Sequence, residues 1–158
     1  MRNLRKILLI IFVGFMAILV TGCGNNNVEG TLEEIMTKVY AGVPEDQRPM
    51  MLGNIEVTDE NVEYYLGTKD IEYEEALASE SGVGSIAHSV VLVRVKDNAN
   101  IEEIKDKIES SINPRKWVCV GVEEDDVIVE NEGNLIILIM IEDETTREKI
   151  EEAFDNLK

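Results

Sequence analysis

The chain has 158 residues, with 32 acidic and 15 basic side chains, a net charge of −17, one histidine and two cysteines. That length admits one ordinary domain, and so negative a surface repels a phosphate backbone, which argues against nucleic-acid binding. An apolar content of 44% argues against wholesale disorder, and two cysteines cannot staple a disulfide scaffold.

Arg2, Arg5 and Lys6 form a basic start, followed by an apolar run of 14 residues from Ile7 to Val20. This pattern predicts a secretory signal peptide over residues 1–22. As a helix the run covers about 21 Å, short of the roughly 30 Å hydrocarbon core. A removable signal is therefore favoured over an uncleaved anchor. The segment Leu19-Val20-Thr21-Gly22-Cys23 resembles the bacterial lipobox. The resemblance implies cleavage by signal peptidase II between Gly22 and Cys23, and diacylglycerol on the Cys23 thiol. The thiol is needed for the thioether, and a small residue at Gly22 lets the peptidase reach the bond. More than one acyl chain makes anchoring stable, where a single chain gives marginal binding.

Gly24, and not Asp, follows the cysteine, so nothing resembles a retention signal for the inner membrane of diderm bacteria. The expected location is the extracytoplasmic face of a bacterial cell membrane. Loss of residues 1–22 removes three basic side chains and no acidic ones, leaving 12 − 32 = −20. Anionic headgroups repel such a domain, so the lipid would hold it at the membrane and its surface charge would not.

Residues 23–30 read as a lipidated tether, polar after Cys23 and flexible, reaching at most about 25 Å when extended. One domain is expected over residues 31–158. Thr31 and Glu34 have capping-box spacing, and Leu32, Ile35, Met36 and Val39 recur at helical period, predicting a helix over 32–41 that Gly42 and Pro44 stop. Residues 44–53 read as a loop. Thr58 is a candidate cap for a short helix bearing Val62, Tyr65 and Leu66, ended by Gly67. Strands are expected over 71–79 and 86–95, joined by Ser81-Gly82-Val83-Gly84-Ser85, whose glycines suit positive φ.

Asn100 and Glu103 again have capping spacing before a helix over 101–112, closed at Asn113-Pro114. Residues 117–122 read as a strand, and 127–130 and 135–141 as a hairpin around Asn131-Glu132-Gly133-Asn134. A last helix over 144–157 is capped by Asp143. Hairpins without intervening helices define an α+β fold, a mostly antiparallel sheet of about five strands with helices packed on it. Residues 90–95 and 135–141 are too apolar to be edges.

The helix over 101–112, the strand over 127–130, the turn Glu132-Gly133-Asn134, the strand over 135–141 and the closing Ala153-Phe154-Asp155 resemble the DUF4358 family of bacterial lipoproteins of unknown function. The resemblance spans most of residues 31–157. This chain has only residues 113–116 where many members carry a longer segment. The family implies a surface lipoprotein and brings no catalytic or binding residues to transfer.

Chemistry-bearing residues are few. His88 is the single histidine, and no Gly-x-Ser-x-Gly elbow accompanies the nearby Ser85 and Ser89, so a structural imidazole is expected. Cys119, in an apolar run, is expected as a small core residue. One histidine and one free cysteine cannot supply a four-ligand zinc site. Glu123-Glu124-Asp125-Asp126 and Glu142-Asp143-Glu144 lack EF-hand spacing and read as solvated surface. Met50-Met51-Leu52 suggests either an adaptable binding loop or, preferably, a plug buried over the sheet. No catalytic, metal or cofactor site is assigned. The reading favoured is a non-enzymatic binding or assembly module at the envelope, with an unidentified envelope protein as partner. The alternative is a small-ligand or cation-binding accessory of a transport system.

Overall fold

The computed structural model describes residues 27–157. The signal segment, the cleavage site at Gly22 and the lipidation site at Cys23 lie outside the described residues. In chain order the elements are α1 (Leu32–Val39), β1 (Leu52–Glu56), α2 (Val62–Leu66), β2 (Glu75–Ser81), β3 (His88–Arg94), α3 (Ile101–Ser111), β4 (Ile128–Glu132), β5 (Leu135–Ile141) and α4 (Glu144–Asp155). The strands form one sheet in the order β1-β2-β3-β5-β4, and each neighbouring pair is antiparallel. The fold is α+β.

Every residue of β5 is buried, and so is every residue of β3 before Arg94. Successive side chains in a strand point to opposite faces, so a strand apolar throughout must be covered on both. The helices divide accordingly. Leu32, Ile35, Met36 and Val39 of α1 and Ile150 and Phe154 of α4 pack on Leu77, Val90, Leu92, Ile137 and Ile139. Tyr65 and Leu66 of α2 and Ile104 and Ile108 of α3 pack on Ala78, Val91, Val93, Ile136 and Leu138 across the sheet. The result is three layers, helix on sheet on helix.

Capping follows the sequence closely. Thr31 Oγ1 accepts from the Glu34 amide while the Glu34 carboxylate accepts from the Thr31 amide. The side chains of Asn100 and Asp143 accept from the amides of Glu103 and Thr146. At α2 the capping position is Asn61, not Thr58, and its side chain makes no cap bond to the helix. Instead Asn61 Oδ1 accepts from the Thr58 amide and its Nδ2 donates to Glu56 O.

Other expectations are corrected. Residues 52–56, within and after the expected loop, form strand β1, held by pairing with β2. Residues 117–122 form no strand. Cys119 has a positive φ of 65°, and the Val122 amide returns to Pro114 O, closing the segment into a loop. The strand expected over 71–79 lies at Glu75–Ser81, and Gly82 and Gly84 do not take positive φ. The second hairpin turns more tightly than expected, on Gly133 (φ 56°) and Asn134.

The tether is also shorter than its composition implies. Val28 is buried in the core beneath α1 and α4, and Arg94 donates to Val28 O at 3.1 Å and Gly30 O at 2.7 Å. Asn27 Nδ2 bonds Asp97. Residues 27–30 therefore belong to the domain, joined at the end of the sheet where β3 finishes.

Gly67 ends α2 with φ 76°, and a β-carbon there would fall on the backbone of Ser111 and Ile112. Gly67→Ala is expected to lower the unfolding free energy by about 3 kcal/mol, read by urea denaturation. Gly42→Ala, where nothing lies within 4 Å of the added carbon, should change it by less than about 0.5 kcal/mol.

Candidate functional site

Polar side chains gather where β2 ends and β3 begins. Strand alternation splits them between the faces: Glu80 and Ser89 under α2 and α3, Ser79 and His88 under α1. On the first face Lys116 enters from the loop after α3. Its Nζ lies 2.6 Å from Glu80 Oε2 and donates to Ser89 Oγ at 3.2 Å. Tyr64 donates its hydroxyl to Glu80 Oε1 at 2.7 Å. The Tyr64, Tyr65 and Trp117 rings surround the ammonium with centroids 4.3, 4.8 and 5.1 Å away. The side chains of Lys116 and Glu80 are only 4% and 8% exposed.

Burial lowers the Lys116 pKa, and the Glu80 carboxylate opposes that shift. Burial and Glu80 together raise the Tyr64 and Tyr65 pKa values. The arrangement is a caged ion pair. The ring faces offer negative quadrupole to the ammonium, and Ser89 Oγ accepts one of its hydrogen bonds. Both charged groups are almost wholly closed to solvent.

On the other face His88 Nε2 and Tyr40 Oη share a hydrogen bond of 2.7 Å, with the rings stacked. Burial pushes the His88 pKa down from 6.5 to about 4, against the pull of Glu80 and Asp143. The imidazole is thus neutral and locked to a tyrosine whose own pKa burial raises. Ser89 lies on the opposite face, and Ser85 is exposed, so neither forms a nucleophile–base pair with His88.

Cys119 is exposed and not in the core, a consequence of the loop that carries Lys116 inward. The acidic runs are used locally. Arg115 bonds Glu123, Arg147 bonds Asp126, and Asp143 caps α4. Among the described residues no group of three His, Cys, Asp or Glu side chains is placed to hold a metal. Met50 and Met51 are exposed at 69% and 74%, so the plug expectation is overturned.

An open groove lies elsewhere, along edge strand β1. A cavity of about 290 Å³ runs between α1 and β1, walled by Met36, Tyr40, Arg48, Leu52, Asn54 and Ser79. Arg48 donates to Tyr40 O and Val43 O, fixing the chain that leads from α1 toward β1. Sequence reasoning missed this groove because it missed β1; the Met50-Met51-Leu52 cluster was its one visible trace. Comparison of the chain with family models, with curated proteins and with solved structures finds no match.

Two predictions test the polar cluster. Lys116→Met leaves the Glu80 carboxylate buried without its cation and is expected to cost about 3–5 kcal/mol in urea denaturation. Adding Glu80→Gln should recover most of that loss, whereas a double variant no more stable than Lys116→Met would deny the coupling. For His88, the folded-state pKa near 4 lies below the unfolded value of 6.5, so between those values only the unfolded chain takes up the proton. Its contribution is intact above about pH 6.5 and lost as pH falls toward 4, by about 3 kcal/mol. The stability difference between the native chain and His88→Gln, followed from pH 7 to 4, should shrink or reverse by that amount.

Proposed function

We propose that this chain is a lipid-anchored protein of the bacterial cell envelope, a non-enzymatic binding or assembly module of the kind its DUF4358 resemblance implies. The observation that carries the reading is Cys23, at the end of the Ile7 to Val20 apolar run and five residues before the docked Val28. Five residues reach at most about 18 Å, so the domain stands close to the bilayer with the Arg94 end of its sheet toward it. The mature charge of −20 keeps the acidic surface from settling onto anionic lipid. Among the described residues no helix is long and apolar enough to cross a membrane. A binding role fits the polar chemistry, since Lys116 and His88 are committed to buried partners while β1 and its groove stay open.

Fractionation and mass spectrometry test the anchor. The native protein should sediment with membranes and begin at an acylated Cys23. Cys23→Ser should carry no acyl chain. An intact leader or an unmodified thiol in the native protein would overturn the reading.

A further inference from the structure

We propose that β1 is a docking edge, at which an extended basic segment of another polypeptide adds a sixth strand to the sheet. This deepens the binding-module reading and rests on it, but not on the lipid anchor. The phase of the ladder is set at both ends of the strand: the Val57 amide bonds Ala76 O, and the Gly82 amide bonds Met51 O. Residues 51, 53, 55 and 57 therefore face β2, and the backbone groups of Leu52, Asn54 and Glu56 turn outward. Glu56 O is taken by Asn61 Nδ2. The Leu52 and Asn54 amides and carbonyls, with the Glu56 amide, line an edge that no strand covers among the described residues.

Natural sheets blunt such edges with charge, proline, bulges or a covering element. The opposite edge is guarded in this way. There β4 carries Glu130 and Glu132, and α3 reaches over it through the Lys105–Asn131 hydrogen bond. β1 has one charged residue, Glu56, at its end, and a glycine at position 53 with nothing within 4 Å of where a side chain would stand. Its own Ile55, and Met50 and Met51 just before it, are exposed large apolar residues. The groove over Leu52 and Asn54 gives side chains of an added strand a place to enter. Main-chain pairing with pockets for alternate side chains is how extended peptides are recognised at sheet edges.

Charge selects the occupant. Residues 45–63 hold six acidic side chains (Glu45, Asp46, Glu56, Asp59, Glu60 and Glu63) against one basic side chain, Arg48, whose guanidinium is turned onto two carbonyls; from outside the segment Lys69 pairs with Glu63 and Lys149 bonds Gln47, so the balance stays acidic. A second copy of this chain would bring a net charge of −17 against −17. A segment alternating apolar residues with Lys or Arg meets the edge with opposite charge and complementary pattern.

The test uses the full ¹⁵N-labelled chain, purified from whichever cell fraction holds it, so that failure of the anchor and failure of the edge are read separately. The probe is the acetylated peptide Lys-Val-Lys-Val-Lys-Val-Lys. Amide exchange at Leu52, Asn54 and Glu56 should slow by about tenfold or more on its addition, while Gly53 and Ile55, already bonded to β2, change little. Asn54→Pro removes an outward amide without touching the ladder and should weaken peptide binding by about tenfold with little change in melting temperature. Asn54→Lys, which keeps the amide but adds a like charge, should also weaken it and serves if the proline variant unfolds. The proposal is overturned if the peptide leaves those three amides unprotected. It is overturned equally if a peptide with Glu for Lys binds as well, or if the chain alone dimerises and protects them.

Discussion

The pairing of β3 with β5 is the constraint from which the rest of the molecule follows. Seven residues register across that pair, from His88 with Ile141 to Arg94 with Leu135, and the five pairs between Val90 and Arg94 put buried apolar side chains of β5 on both faces. Such a ribbon can neither sit at an edge nor leave one face to water. Two helices must cover each side, and the short polar strands β1 and β4 fall to the margins. At about 25 cal/mol for each Å² of apolar surface removed from water, this central pair and the helix faces against it supply most of the drive to fold. Arg94, the one residue of β3 not fully buried, reaches back to fasten the chain ahead of α1.

A sheet sealed on both faces has to resolve the polar groups at its ends. Glu80, His88 and Ser89 are buried close together where β2 and β3 meet their loop. Each is answered from a different element: Tyr64 on α2, Tyr40 just after α1, and Lys116 beyond α3. An unanswered carboxylate at that depth would be heavily penalised. The loop over residues 113–122 thus acts as a strap that carries a cation into the interior and comes back out.

That strap explains the largest error in reading the sequence. Trp117-Val118-Cys119-Val120 has strand composition, yet Cys119 takes a φ of 65° and the Val122 amide turns back to Pro114 O, so the segment loops over the buried Lys116 and Trp117 and pairs with no strand. Composition cannot reveal that a lysine is an interior residue when its partner, Glu80, is 36 positions away. β1 was hidden for the opposite reason. Leu-Gly-Asn-Ile-Glu is poor in β-formers, and the segment is a strand because β2 offers it a ladder. What was legible was local or strongly periodic: the caps at Thr31, Asn100 and Asp143, the central strands, the helices, and hence the class of fold. The groove depends on β1 and on its spacing from α1, so it could not be read from either segment alone.

The two ends of the sheet then acquire different meanings. Glu56 pairs with Leu77 toward the Arg94 end, where residues 27–30 join the domain, and Leu52 pairs with Ser81 at the far end. β1 therefore runs toward the end at which the N-terminal segment enters, and Met50 and Met51, which precede it, lie at the distal end. A chain tethered through that segment presents this edge sideways, along the length of the sheet. An added strand would lie alongside it. The sequence around that edge, from Glu45 to Glu63, is rich in acidic side chains, so long-range attraction and the open ladder would favour the same kind of neighbour, a positively charged extended segment.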